Sequence, residues 1–210
     1  MINLAILISG RGSNMDAILS AIKIGKIENV KPSIVICNNP DAAGLKIASE
    51  KFGVSTRTLV DYGTYPKGWA YDQNLVPVLE EYGVNKKEGV ICLAGFNRIL
   101  SPEFVGTYKM RIMNIHPALL PSFQGLHAQK QALEYGVKVS GCTVHFVDEG
   151  VDTGPIILQR TVPVLASDTE ELLAERILKV EHELYPKALG LFSKGYIRIE
   201  GRRVSIKKMK

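Results

Sequence analysis

The stretch Met110-Arg111-Ile112-Met113-Asn114-Ile115-His116-Pro117 decides how this chain folds. Its apolar residues are typical of a buried strand. Side chains two apart on a strand point to the same face, so Asn114 and His116 project together. Pro117 has no backbone N–H and cannot continue a central ladder, so the pair marks the point where the strand stops. In open α/β sheets, ligands bind at the carboxyl ends of strands.

An amide beside an imidazole gives this strand end a chemical interpretation. Acyl transfer needs a donor that steadies a developing oxyanion and a group that moves protons, and Asn114 and His116 are residues of those two types. A second interpretation is equally open from these residues alone, namely a strand end whose polar side chains satisfy nearby backbone groups.

Strand and helix signals alternate along the first half of the chain. A continuous apolar run over 2–8 is typical of a strand buried on both faces. Ser13, with Asp16 three residues on, predicts a capped helix that Gly25 ends. Further signals predict strands over 33–37, 54–60 and 90–94, a helix from Asn39-Pro40 to Gly53, and a helix over 69–82 kinked at Pro77. This alternation predicts an α/β fold with a mainly parallel, twisted sheet flanked by helices.

The second half is less regular. It predicts a central strand over 110–115, strands over 139–147 and 155–164, and a hairpin over 196–206. It also predicts a short helix capped by Ser101-Pro102-Glu103 and a helix over 126–135. A long helix is predicted to begin at Ser167-x-x-Glu170 and to run to about 194, with a bend at Pro186. The length of 210 residues predicts one domain, 1–210, with halves at 1–100 and 101–210.

Composition and charge narrow the class of protein. With 46% hydrophobic and 22% charged residues, the chain reads as an ordinary globular protein. It has neither an apolar stretch of about 18 residues nor a signal peptide's basic start, which predicts a cytoplasmic protein without a membrane partner. The net charge of +5 lies in residues 194–210, which hold seven basic side chains and one acidic side chain. Because the body of the chain is neutral, we expect a solvated tail and no nucleic-acid partner.

The cysteines and histidines predict no metal. Three cysteines without CxxC spacing read as small buried hydrophobes: Cys37, Cys92 and Cys142. His145 alternates within a strand and is predicted to be structural, while His127 and His182 lie on predicted helices. The sequence contains no HExxH motif or Cys/His cluster, so a catalytic metal is not expected.

The loop Ser9-Gly10-Arg11-Gly12-Ser13-Asn14 joins the first strand to a helix. Its glycines allow close approach of a ligand, and the helix start presents N–H groups to a phosphate. The third glycine of the dinucleotide fingerprint is replaced by Met15, and no acid ends the second strand. No Gly-Lys-Ser/Thr follows either, so neither NAD nor ATP is expected. A tight turn that needs glycine is the alternative.

The loop over 148–154 concentrates three acids and two glycines. It lacks EF-hand spacing and flanking helices, which argues against calcium. A carboxylate in this loop would favour the protonated form of a nearby histidine, and Asp152 is the candidate.

Together these stretches resemble the phosphoribosylglycinamide formyltransferases, folate-dependent enzymes of purine synthesis and one-carbon metabolism. The matching stretches run in the family's order: Leu7-Ile8-Ser9-Gly10-Arg11-Gly12-Ser13-Asn14, Leu93-Ala94-Gly95-Phe96-Asn97-Arg98-Ile99-Leu100-Ser101, Asn114-Ile115-His116-Pro117-Ala118-Leu119-Leu120-Pro121, His145-Phe146-Val147-Asp148-Glu149-Gly150-Val151-Asp152-Thr153-Gly154-Pro155, and Glu181-His182-Glu183-Leu184-Tyr185-Pro186.

The resemblance implies a Rossmann-like formyltransferase fold and direct formyl transfer from 10-formyltetrahydrofolate, a co-substrate, to the amine of glycinamide ribonucleotide. It implies catalytic roles for Asn114, His116 and Asp152. It implies ribonucleotide binding, mostly in the first half, by Gly12, Ser13, Asn14 and Glu181. It implies folate binding by Asn97, Arg98, Ile99, Leu100, Asp148, Glu149, Gly150 and Val151.

The chain departs from that family's common pattern at several positions. Methionine is common at Asn97, arginine at Gly68 (beside Lys67), and lysine in the loop that holds Ser122 and Gln124; the polar turn over 83–89 is longer than usual. Two rivals are a formyltetrahydrofolate hydrolase and a transfer-RNA formyltransferase, whose extra domains a chain of 210 residues has no room for. A third is a phosphosugar-binding module, which needs no catalytic trio. These residues do not decide whether the chain forms a homodimer.

Overall fold

Seven strands form one sheet in the computed structural model, which describes residues 1–59 and 68–207. The strands are β1 (Ile2–Ile8), β2 (Val30–Cys37), β3 (Thr56–Thr58), β4 (Gly89–Leu93), β5 (Ile112–His116), β6 (Val139–Phe146) and β7 (Ile156–Pro163). Their order is β3-β2-β1-β4-β5-β6-β7. The first five are parallel, whereas β6 runs antiparallel to both β5 and β7. This confirms the mainly parallel α/β sheet, with β4 rather than the predicted β5 in the middle.

Helices cover both faces of the sheet. They are α1 (Ser13–Lys23), α2 (Ala43–Lys46, continued as a wider π-helical turn over Ile47–Lys51), α3 (Trp69–Asp72), α4 (Leu75–Glu81), α5 (Pro102–Thr107), α6 (Ala128–Tyr135) and α7 (Glu170–Ser193). None of the helices in the described ranges is long and apolar enough to cross a membrane. A separate hairpin of β8 (Ile197–Glu200) and β9 (Arg203–Ile206) confirms the predicted terminal turn; Lys208 and Lys210 of the basic tail lie outside the described residues.

The core has two layers because β1 is buried on both sides. Leu4, Ile6 and Ile8 face a cluster that includes α1 and α7. Ala5 and Leu7 face a second cluster that includes α4 and α5. All five side chains are fully buried, as the continuous apolar run predicts. The predicted buried cysteines are confirmed too: Cys37, Cys92 and Cys142 are buried and free.

Two predicted helix caps were wrong. Helix α1 is preceded by Gly12 in the left-handed conformation, with φ of 72°, and Ser13 is its first helical residue. Asp16 therefore forms no capping box and pairs with Lys51 at 2.7 Å. Helix α7 is capped by Thr169, whose hydroxyl accepts from the Leu172 N–H at 3.3 Å.

Several element boundaries differ from the prediction. The predicted helix over 69–82 is two helices, because Pro77 needs no N–H partner in a first turn and α4 begins just before it. Helix α2 begins at Ala43, since the Asn39 side chain instead accepts from the Asp41 N–H at 3.0 Å and holds a turn. Helix α6 begins after His127, whose φ of 58° is not helical. Only Thr56–Thr58 of the predicted third strand pairs with β2, and Val60 lies outside the described residues.

Candidate active site

The structure brings together the three side chains that were predicted to be catalytic. Asn114 and His116 share a face at the end of β5, and Asp152 comes from the loop that joins β6 to β7. The His116 Nδ1 atom lies 3.2 Å from Asp152 Oδ2. The Asn114 amide nitrogen donates to Asp152 Oδ1 at 3.4 Å. Loop and strand therefore place an amide, an imidazole and a carboxylate around one point.

The His116 ring lies between two oxygen acceptors. Its Nε2–H donates to the carbonyl of Phe123 at 2.7 Å, while Nδ1 faces Asp152. Only 5% of the side chain is exposed. Burial lowers the pKa of His116 because it disfavours the charged ring, while the Asp152 charge and the Phe123 carbonyl oppose that effect. The two oxygen acceptors allow both ring nitrogens to carry protons. The lowered pKa means that the protonated ring releases one of them readily.

The Asp152 carboxylate is stabilised as an anion. Burial raises the pKa of Asp152, but hydrogen bonds from His145 and from the Gly125 N–H, together with the charge of His116, outweigh this and hold the pKa below its usual value. The Gly125 N–H donates to Oδ2 at 2.9 Å. Asp152 itself has a φ of 53°, a left-handed conformation that few non-glycine residues adopt.

His145, predicted to be structural, belongs to this cluster, so the sequence analysis missed it. Its Nδ1–H donates to the Phe146 carbonyl at 2.8 Å, and its Nε2 atom lies 3.3 Å from the Asn114 amide nitrogen. Nε2 also lies 3.5 Å from Asp152 Oδ1. His145 stands directly opposite Asn114 in the antiparallel β5–β6 pair. The signal that would have found it is this register, which places opposed residues on one face.

The residues predicted to hold a ribonucleotide meet at the start of α1. Gly12 turns the chain so that the first N–H groups of α1 point outward, a geometry that suits a phosphate. The Asn14 amide donates to Glu181 of α7 at 2.8 Å, and both side chains are buried. Burial raises the pKa of Glu181, which the bond from Asn14 opposes. Among the described residues, no direct hydrogen bond joins this pair to the catalytic trio.

The segment predicted to bind folate follows β4. The Asn97 N–H donates to the Ser9 hydroxyl at 2.8 Å, which joins this segment to the end of β1. Leu100 is buried, while Ile99 is 73% exposed. The Arg98 guanidinium stacks on the Tyr71 ring at 3.7 Å. This segment therefore presents the apolar side chain of Ile99 to solvent.

The second predicted folate segment is the loop that carries Asp152. Asp148 closes the loop, since its Oδ1 accepts from the Thr153 hydroxyl at 2.6 Å and from the Gly150 N–H at 3.2 Å. Glu149, Gly150 and Val151 are exposed along the loop.

One of the departures from the common pattern, Gln124, contacts this site. Gln124 donates from its amide to the carbonyl of Asp152 at 3.1 Å. Ser122 closes a turn through its N–H to the Leu119 carbonyl. Gly68 has a φ of 89°, which glycine tolerates, and Lys67 lies outside the described residues.

Comparison with known proteins identifies the family of this chain. The family model described as "Formyl transferase" matches residues 2–189. The chain belongs to the formyl transferase family. A solved member, glycinamide ribonucleotide transformylase 1 from Symbiobacterium toebii, has 48% identity and a TM-score of 0.93, covering 99% of this chain and 95% of its own.

Curated members of the formyl transferase family include single enzymes and parts of longer chains. The phosphoribosylglycinamide formyltransferase of Escherichia coli is 42% identical over 94% of this chain and 90% of its own length. The human trifunctional purine biosynthetic protein adenosine-3 is 44% identical over 93% of this chain. This chain spans 14% to 19% of the length of such trifunctional relatives.

Proposed function

We propose that this chain transfers the formyl group of 10-formyltetrahydrofolate to the amine of phosphoribosylglycinamide. The products are formylglycinamide ribonucleotide and tetrahydrofolate, as in de novo purine synthesis. The observation that carries the proposal is the contact of His116 with Asp152 beside the Asn114 amide. Family membership supports the same reaction class.

The first step is attack of the neutral amine nitrogen on the formyl carbon. A C–N bond forms and the carbonyl π electrons move to oxygen, which becomes an oxyanion. The Asn114 amide contacts to Asp152 and His145, at 3.4 and 3.3 Å, are longer than the common 2.9–3.0 Å. Its N–H groups are therefore available to a stronger acceptor, and the oxyanion is one.

His116 handles the proton. Protonated, and with its Nε2–H turned from the Phe123 carbonyl toward the substrate, it stabilises the same oxygen. It then passes that proton to the departing folate nitrogen as the C–N bond breaks. The amine loses a proton when it becomes an amide, which returns the ring to its protonated form. A ring whose pKa is lowered by burial gives up its proton more easily, so this environment suits the transfer.

Asp152 keeps His116 ready for this step. Its negative charge at 3.2 Å from Nδ1 favours the protonated ring and fixes its orientation. The low pKa of Asp152 keeps the carboxylate ionised near neutral pH.

Both substrates have residues suited to them. We assign the phosphate and ribose to the start of α1 and to the Asn14–Glu181 pair, since N–H groups bind anions and a buried carboxylate binds hydroxyls. We assign the folate to the segments 97–100 and 148–151. The first half of the chain (1–100) thus supplies mainly the ribonucleotide side and the second (101–210) mainly the folate and catalytic side, and we place the activity in the cytoplasm.

A coupled test separates this function from its rivals. Purified protein is mixed with both substrates while the absorbance change of folate deformylation is followed, and formate is measured in a parallel sample without phosphoribosylglycinamide. Folate turnover that requires phosphoribosylglycinamide supports the transferase. Formate release without it indicates a hydrolase, and binding without turnover indicates a phosphosugar-binding module.

A further inference from the structure

The terminal hairpin reaches the loop that carries Asp152. Arg202 lies in the turn between β8 and β9, and its Nη2 donates to the carbonyl of Thr153 at 2.6 Å. Thr153 is the residue directly after Asp152. A side chain from the basic tail therefore contacts the backbone next to the catalytic carboxylate.

The Asp152 loop needs external support because its conformation is unfavourable. Asp152 holds a left-handed φ of 53°, which costs free energy in a non-glycine residue and persists only where surrounding contacts fix it. The loop is also tight at its end, since a Cβ on Gly154 would lie 1.8 Å from the Phe146 carbonyl oxygen. The backbone of the loop is therefore closely packed at Gly154 and strained at Asp152.

Two consecutive carbonyls of this strained segment accept hydrogen bonds from distant side chains. Gln124 donates to the carbonyl of Asp152 at 3.1 Å, and Arg202 donates to that of Thr153. The Arg202 bond is the shorter of the two and is charge-assisted, which makes it the stronger kind of restraint. Guanidinium is planar and always charged, so this donor persists across the working pH range.

We propose that Arg202 is a positioning residue that holds the Asp152 carboxylate against His116 through the Thr153 carbonyl. This inference rests on the proposed formyl transfer. Without Arg202, the loop relaxes from its left-handed conformation, and the carboxylate spends less time 3.2 Å from Nδ1. Among the described residues, the titratable groups facing His116 are Asp152 and, from β6, His145. Of these two, only Asp152 favours the protonated ring, so its displacement shifts the pH profile.

The test compares Arg202→Ala and Arg202→Lys with the wild type, using Arg203→Ala as the matched control. Arg203 is the next residue and is exposed, and its substitution by Ala removes the same charge from the same hairpin. For Arg202→Ala, we expect kcat to fall about three- to tenfold with little change in either KM, because one positioning hydrogen bond is lost. We also expect the alkaline limb of the kcat profile to move to lower pH. Arg202→Lys should recover part of both effects.

The controls separate failure of this inference from failure of the proposed function. An inactive wild-type protein refutes the formyl transfer itself. With an active wild type, unchanged kcat in Arg202→Ala overturns the inference, as does an equal loss in Arg203→Ala. A lower kcat and melting temperature without a shift of the alkaline limb also overturns it, because a purely structural role would produce that result.

Discussion

Asn114 shows how much of the site depends on a single amide. Replacing it with Ala removes the proposed oxyanion donor while leaving the strand apolar and intact. We expect kcat of Asn114→Ala to fall about 10²- to 10³-fold, the usual cost of losing one such donor. Steady-state kinetics with both substrates measures the loss, and circular dichroism checks the fold. Turnover within threefold of the wild type would remove Asn114 from the mechanism.

In the proposed mechanism, Asp152 acts through the protonation of His116. In Asp152→Asn the charge that raises the pKa of His116 is gone, while the lowering effect of burial remains, so that pKa falls. Because the protonated ring is the active form in the proposed step, kcat should begin to fall at a lower pH than in the wild type. A kcat–pH profile, with NMR titration of the His116 ring, measures this directly. An alkaline limb at or above the wild-type position would contradict the role given to Asp152.

The residues of the site were predictable to different degrees. Asn114 and His116 follow from period-2 alternation in a short apolar run that Pro117 ends. The partnership of His116 with Asp152 depends on a loop that folds back from β6, and no local pattern encodes that path. His145 was missed because its position depends on an antiparallel register between β5 and β6. Pairing across strands is a non-local property, and the alternation within β6 gives no sign of its partner.

At the scale of single elements, α7 carries both Glu181 and much of the packing against the sheet. Its N-terminus depends on the Thr169 hydroxyl, which accepts from the Leu172 N–H. Thr169→Ala should lower the free energy of unfolding by about 1 kcal/mol, a typical cost for a lost cap. Urea denaturation measures the change, with Ser167→Ala as the matched control, since Ser167 lies just before the cap. Equal destabilisation by both substitutions would show that the cap is not the cause.

Element types were easier to predict than element boundaries. The buried strands β1 and β4 are predicted by continuous apolar runs. Ser101 caps α5 as predicted, since its hydroxyl accepts from the Phe104 N–H at 3.3 Å. The prediction of a single helix over 69–82 was wrong because two short helices have the same apolar periodicity as one kinked helix. The predicted N-cap of α1 was wrong because Ser13 is already helical, and the cap position falls on Gly12, which has no side chain to accept a hydrogen bond. These outcomes depend on backbone dihedrals that the residue types permit but do not dictate.

At the scale of the whole molecule, one strand of the sheet, β6, runs in the reverse direction beside the candidate active site. Strands β1 to β5 are parallel, with β1 leading to the Gly12 turn and β4 to the segment 97–100, while β6 runs antiparallel to both of its neighbours, β5 and β7. The reversal places His145 opposite Asn114 and allows the β6–β7 loop to return over β5. A fully parallel sheet would need a longer crossover, usually a helix, to join β6 to β7 and would lack this returning loop. The reversal of β6 therefore brings residues from distant parts of the chain together in the candidate active site.

Burial of histidines makes the stability of the whole molecule depend on pH. Burial lowers the folded-state pKa of both His116 and His182, so below about 6.5 the unfolded chain binds protons more readily than the folded one. The contribution of these two histidines to stability is therefore fully present above that pH and is lost as the pH falls through the lowered folded pKa values. We expect the urea midpoint to fall between pH 7.5 and 5.5, and to fall less in His182→Gln. His127→Gln, a substitution outside the pair invoked, is the control and should keep the wild-type slope. A midpoint that rises on acidification, or one that falls equally in His182→Gln and the wild type, would contradict this prediction.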